Sequence, residues 1–159
     1  MTESYMLLRA AFKLYVNRYR YIYFYGAKGE LMTDPVMNQL IETCPEFYGK
    51  YSPEELEEIK KIARGKIGVD CSGFITLISG IYGSSGMLWN KCTDKTTPRD
   101  GKAGYMLYRK GHVGIDIGYG YEMEIGRTNG TFEINKISDR DFVSSGALPN
   151  YDYGKAVNY

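Results

Sequence analysis

The sequence predicts a single α+β domain with helices first and an antiparallel sheet afterwards. Three observations carry this prediction. Apolar residues recur at helical spacing through the first half of the chain, and after Gly111 the period changes to alternation. No Pro/Ser-rich connector or low-complexity tract divides the 159 residues, which are enough for one sizeable core, so residues 1–159 are expected to form one domain.

The elements follow in order. Leu7, Leu8, Ala11, Phe12, Tyr15 and Val16 have the spacing of a first helix. "YIYFYGAKGE", residues 21–30, reads as extended with a turn at Gly26. From Met32 to Lys61 the pattern is mostly helical, broken or started at Pro35, Pro45 and Pro53. "SPEELEEIKKIA" supplies Ser52 as N-cap, Pro53 at the first position and Glu55 at the third. A further helix is expected to begin near Asp70, to bury Phe74, Leu77, Ile78 and Ile81, and to stop at Gly83 to Gly86. In "GHVGIDIGYGYEMEIG", Val113, Ile115 and Ile117 alternate with His112, Gly114 and Asp116, then Met123 and Ile125 with Glu122 and Glu124. This is a β-hairpin, with "TFEINKI" as a third strand. A three-residue loop, Gly118 to Gly120, would put His112 and Glu124 on one face, whereas a two-residue loop would reverse the parity.

Charge and composition exclude several functions. The chain has 20 basic and 19 acidic residues and a net charge of +1, which offers nothing to a polyphosphate and argues against nucleic acid. Three cysteines, Cys44, Cys71 and Cys92, and one histidine have no metal-ligand spacing, so neither a metal, another cofactor nor a disulfide framework is expected. "GAKG" at 26–29 lacks the spacing and the ending of a phosphate loop. The N-terminal stretch lacks the pattern of a signal peptide, and no segment has the length of a membrane span. The expectation is therefore a protein made in the cytoplasm without a signal peptide, not inserted in a membrane, and monomeric.

The chemistry gathers at "GVDCSGFITLISG", residues 68–80. Cys71 follows a capping-type aspartate at a helix start, where the positive end of the helix favours thiolate; a nearby imidazolium would add to that. His112, the only histidine, heads a strand that can hold its ring, and Glu124 could accept a hydrogen bond from the far ring nitrogen. Nucleophile, base and orienter are the roles acyl transfer needs, with the Cys71 amide as one oxyanion donor. Taken singly, each residue also has an ordinary structural reading. Asp116 reads as a substrate contact or an exposed strand residue, and Tyr105 receives no role. Sixteen tyrosines, five of them between Tyr15 and Tyr25, suit a groove for sugar or peptide.

The wording of these motifs resembles the NlpC family of papain-like cell-wall cysteine peptidases over roughly Leu7 to Tyr153. "DCSGF" is similar to its nucleophile motif, "GHVGIDIG" to its histidine strand, and "YFYGAKGE" to its upstream tyrosine motif, with Glu124 at the third polar position. Glutamate there, the insert "GELMTDPVMNQLIETCPEFYGKY" and the tail "DRDFVSSGALP" resemble the phage and prophage lysin version. The resemblance implies a papain-like fold with the nucleophile at a helix N-terminus and N-terminal helices packed on the sheet. It implies Cys71, His112 and Glu124 as the catalytic residues and Tyr23 as an oxyanion or substrate contact. The implied activity is a cysteine endopeptidase acting on bacterial peptidoglycan stem peptides, at the γ-D-glutamyl to diamino acid bond. The implied site of action is the cell wall, reached by holin, phage tail or secretion system. The alternatives are an N-acetylmuramoyl-L-alanine amidase with the same triad and a catalytically silent wall-binding or tail-structural domain.

Overall fold

The structure, a computed structural model, describes residues 1–154. It comprises β1 (Thr2–Glu3), α1 (Tyr5–Val16), β2 (Tyr21–Tyr23), β3 (Lys28–Leu31), α2 (Asp34–Thr43), α3 (Pro45–Tyr48), α4 (Pro53–Ala63) and β4 (Ile67–Val69). After these come α5 (Cys71–Ser79), α6 (Ser85–Lys91), β5 (Thr93–Thr96), β6 (Met106–Arg109), β7 (His112–Gly118), β8 (Tyr121–Glu124), β9 (Glu133–Lys136), β10 (Ser144–Ala147) and β11 (Tyr151–Asp152). The class is α+β.

The main sheet has six strands in the order β5-β10-β6-β7-β8-β9, each neighbouring pair antiparallel. One face packs on α5 and α1. Phe74, Ile75 and Ile78 of α5 join Leu7 and Ala11 of α1 and Val113, Ile115, Met123 and Ile125 of the sheet in one buried cluster. A smaller sheet, in which β4 lies between β2 and β3, packs on α2, α3 and α4 through Ile22, Phe24, Met32, Met37, Tyr48, Ile59 and Ala63. The strands flanking the turn at Gly26 thus pair with β4 and not with each other, a partner too short to show in the sequence.

Local chemistry explains several boundaries. Prolines stand in the first turn of α2, α3 and α4, where the missing N–H costs nothing. Ser52 and Glu55 form the reciprocal capping box of α4. Helix α5 is shorter than expected: Gly80 adopts φ +74° and ends it, before Gly83. Its buried face is accordingly Phe74, Ile75 and Ile78, while Leu77 is 39% exposed and leans over Gly29 of β3. The intervening polar stretch holds α6 and β5.

The hairpin has a two-residue loop, Tyr119 and Gly120, both left-handed (φ +57° and +80°) as a type I′ turn requires. That loop alone would reverse the parity, but a bulge between Asp116 and Gly118 restores it. Ile115 faces Met123 and Asp116 faces Glu122, a register that continues to set 112 against 126 and diagonal to 124.

Asp70 ties the layers together. Its Oδ1 accepts from the amide of Gly73 (2.7 Å), the hydroxyl of Ser72 (3.1 Å) and Nζ of Lys28 (2.8 Å), and its Oδ2 accepts from the amide of Gly26 (3.1 Å). Replacing Asp70 by Ala removes the α5 cap and strands a largely buried lysine. It should cost about 3 kcal/mol or more in urea unfolding, and a loss below about 1 kcal/mol would contradict this account.

Candidate active site

Cys71 opens α5 and His112 opens β7, and the two meet at that end of the sheet. The Cys71 Sγ is 3.9 Å from the carbonyl oxygen of Gly111, the residue before His112, and the thiol is close enough to the imidazole to help raise its pKa. On the other side, Nε2 of His112 lies 3.5 Å from Oε1 of Glu124, an ion-pair separation that no closer polar partner relieves. Gly126 stands where the register demands a small residue: a Cβ there would lie 2.7 Å from Cε1 of the ring. Phe142 covers the imidazole with a nearly parallel ring, centroids 5.6 Å apart. The sequence-predicted Cys71, His112 and Glu124 are therefore neighbours, buried to 9%, 6% and 0% exposure.

The charges interlock. Burial by itself would lower the pKa of His112, but its contacts with Cys71 and Glu124 outweigh that and raise it to about 9 from 6.5. Glu124 is fully buried, which opposes its charge. The neighbouring His112 and Glu122 and the two hydrogen bonds from Arg140 nevertheless hold it well below the usual carboxylate range. Glu122, two residues earlier on the same face, goes the opposite way: burial, then the neighbouring Glu124, push its carboxyl up so that it retains its proton. Its Oε1 accepts from Asn135 Nδ2 at 3.0 Å, while its Oε2 is buried without a hydrogen-bond partner, an environment that suits a protonated carboxyl.

Tyr23 belongs to the same buried cluster as Cys71. Burial, followed by the charges of Cys71 and Asp70, pushes its phenol well above the usual tyrosine range, which keeps the O–H available as a donor. Its backbone amide donates to the carbonyl of Gly130 (2.7 Å), tying the loop after β8 beside it. Beyond it stand Tyr25, stacked on Phe47 at 4.4 Å, and Tyr51 at 5.9 Å from the same ring. Sequence reasoning assigned no site role to this aromatic wall, nor to Lys28 behind Asp70 or Arg140 behind Glu124. Only the crowding of tyrosines before Gly26 hinted at the wall.

Asp116 does not join this site and is not an exposed strand residue. It is 4% exposed, and burial raises its pKa against one opposing hydrogen bond from the Gly118 amide (2.8 Å). It lines a cleft of about 560 Å³ with Arg99, Tyr119 and Ser138, at the far end of β7 from His112, and none of the residues around that cleft is Cys71, His112, Glu124 or Tyr23. Tyr105 is a buried structural residue whose hydroxyl donates to Asp94. Among the described residues no group of three or more His, Cys, Asp or Glu side chains could hold a metal ion, and no helix is long and apolar enough to cross a membrane.

Because the chain has one histidine, imidazole NMR reports this site alone. His112 should titrate near 9, and Glu124→Gln should lower that by about one pH unit or more. A folded-state pKa above the unfolded 6.5 means that the stabilisation is complete below pH 6.5 and lost as pH rises through about 9; Glu124→Gln should flatten that decline in thermal unfolding. An unmoved titration in Glu124→Gln would remove Glu124 from the site.

Comparison of the chain with protein-family models, with curated proteins and with solved structures finds no match.

Proposed function

We propose that this chain is a cysteine endopeptidase of peptidoglycan stem peptides, cutting after the γ-D-glutamyl residue. One observation carries the reading: the only histidine is buried between a cysteine at a helix start and a fully buried glutamate. The resemblance of "DCSGF" and "GHVGIDIG" to the cell-wall peptidase motifs supplies the substrate class.

In this mechanism the Cys71 thiolate attacks the peptide carbonyl and the oxygen takes up the negative charge. The Cys71 amide and the Tyr23 hydroxyl are the donors for that oxyanion, since Asp70 caps Gly73 and its carbonyl takes the amide of Phe74. His112, held as imidazolium by Cys71 and Glu124, gives its proton to the leaving amine. The resulting thioester is then hydrolysed, with the neutral imidazole taking a proton from the attacking water and returning it to the sulfur. None of these steps calls on a cofactor. The wall of Tyr25, Phe47 and Tyr51 offers stacking area and hydroxyls to a peptide or glycan strand beside the thiol.

Digestion of purified walls, with mass spectrometry of the released fragments, tests the reaction. A new amine on the diamino acid or lysine is expected. A free L-alanine amine would reassign the chain as an amidase, and no new amine from any wall would make it a silent domain. Cys71→Ala should lose at least about a thousandfold in turnover with the fold retained. Cys44→Ala and Cys92→Ala should keep most activity, and retained lysis in Cys71→Ala would refute the assignment.

A further inference from the structure

The outer face of the sheet holds a charged residue for which the three-residue reading has no use. Arg140 follows the short 3-10 turn at residues 137–139 and grips Glu124 with two bonds: its Nε donates to Oε2 at 3.2 Å, and its terminal nitrogen donates to Oε1. Oε1 is also the oxygen 3.5 Å from His112 Nε2. One carboxylate oxygen thus lies between a guanidinium and an imidazole. The carboxylate is completely buried and the arginine side chain 25% exposed, so this is not a solvent-screened surface pair.

Other charged groups face this point from every neighbouring element. Glu122 shares β8 and carries its proton, and Glu133 of β9 is paired across from Glu124. On β6, Arg109 is engaged by Asp141 at 3.0 Å, and Cys71 lies beyond the ring. Among the described residues Arg140 is the one lysine or arginine that contacts Glu124.

We propose that Arg140 is a positioning residue for His112, acting through Glu124: it fixes the carboxylate on which the imidazole docks and takes up part of the charge that the ring would otherwise face alone. The proposal rests on the reading of Cys71 and His112 as the catalytic pair. A planar guanidinium bound through two nitrogens sets both the position and the plane of the carboxylate, which a single lysine contact cannot do. The positive charge against Oε1 also limits how strongly Glu124 holds the ring as imidazolium. A group that must give a proton and then take one back works best when neither form is locked in.

The histidine titration separates these effects. In Arg140→Met, which keeps length and loses charge, His112 should titrate about one pH unit higher, a tenfold change in the ratio of its two forms, and wall turnover should fall about tenfold. In Arg140→Lys the titration should stay near that of the wild type while turnover drops several-fold, because the charge remains and the fork is gone. A titration in Arg140→Met that is unmoved, or moved downward, overturns the proposal. If circular dichroism shows Arg140→Met unfolded, Arg140→Lys decides, and unchanged turnover in it overturns the proposal. Failure of the underlying reading looks different: wild-type His112 would titrate at an ordinary 6.5 and Cys71 would resist iodoacetamide around neutral pH.

Discussion

The carboxylate of Asp70 is the constraint on which the rest of the arrangement depends. It receives four donors from three places: the first turn of α5, the Gly26 turn between β2 and β3, and the ammonium of Lys28. A buried carboxylate is costly unless its lone pairs are filled, and here every donor that fills them also fixes a piece of backbone. The cap fixes the direction of α5, the Gly26 bond fixes the small sheet to it, and Cys71 is the very next residue. The thiol therefore inherits its position from a neighbour that does no chemistry of its own in the proposed mechanism.

A second buried acid cluster faces it across the imidazole, and its charges balance differently. Two glutamates at 0% exposure on one strand cannot both ionise, and the structure assigns the charge to the one that meets Arg140 and His112. Both are dry because the segment leading into β10, with Arg140 and Phe142, lies over the outer face of the sheet, Phe142 over the histidine ring. The sheet thus has an apolar face against α1 and α5 and a buried polar face under this segment.

What the sequence made legible was local. Cys71 at a helix start, His112 at a strand start and the shared parity of 112 and 124 all follow from spacing within one element or one hairpin. Even there the parity is reached by a different route, a shorter turn with a compensating bulge, because a bulge leaves no mark in the alternation of Ile115 and Ile117. Lys28 and Arg140 were illegible because their partners lie 42 and 16 residues away, and a charge in a polar stretch looks the same whether it meets water or a buried carboxylate. Asp116 shows the same limit. Alternation places it on the polar face, but only the chain packed over that face decides that it is covered.

The order of strands has a consequence for how the molecule comes into being. β10 lies between β5 and β6, whose residues precede it by about fifty and about forty positions, so the sheet cannot close until residues 144–147 have left the ribosome. The same late segment brings Arg140 and Phe142 onto Glu124 and His112. At ordinary rates of translation the thiol exists for seconds as a side chain on an unfinished fold. The surroundings of His112 and Glu124 are thus completed only after nearly the whole chain has been made, so the proposed site is an outcome of assembly order as well as of local geometry.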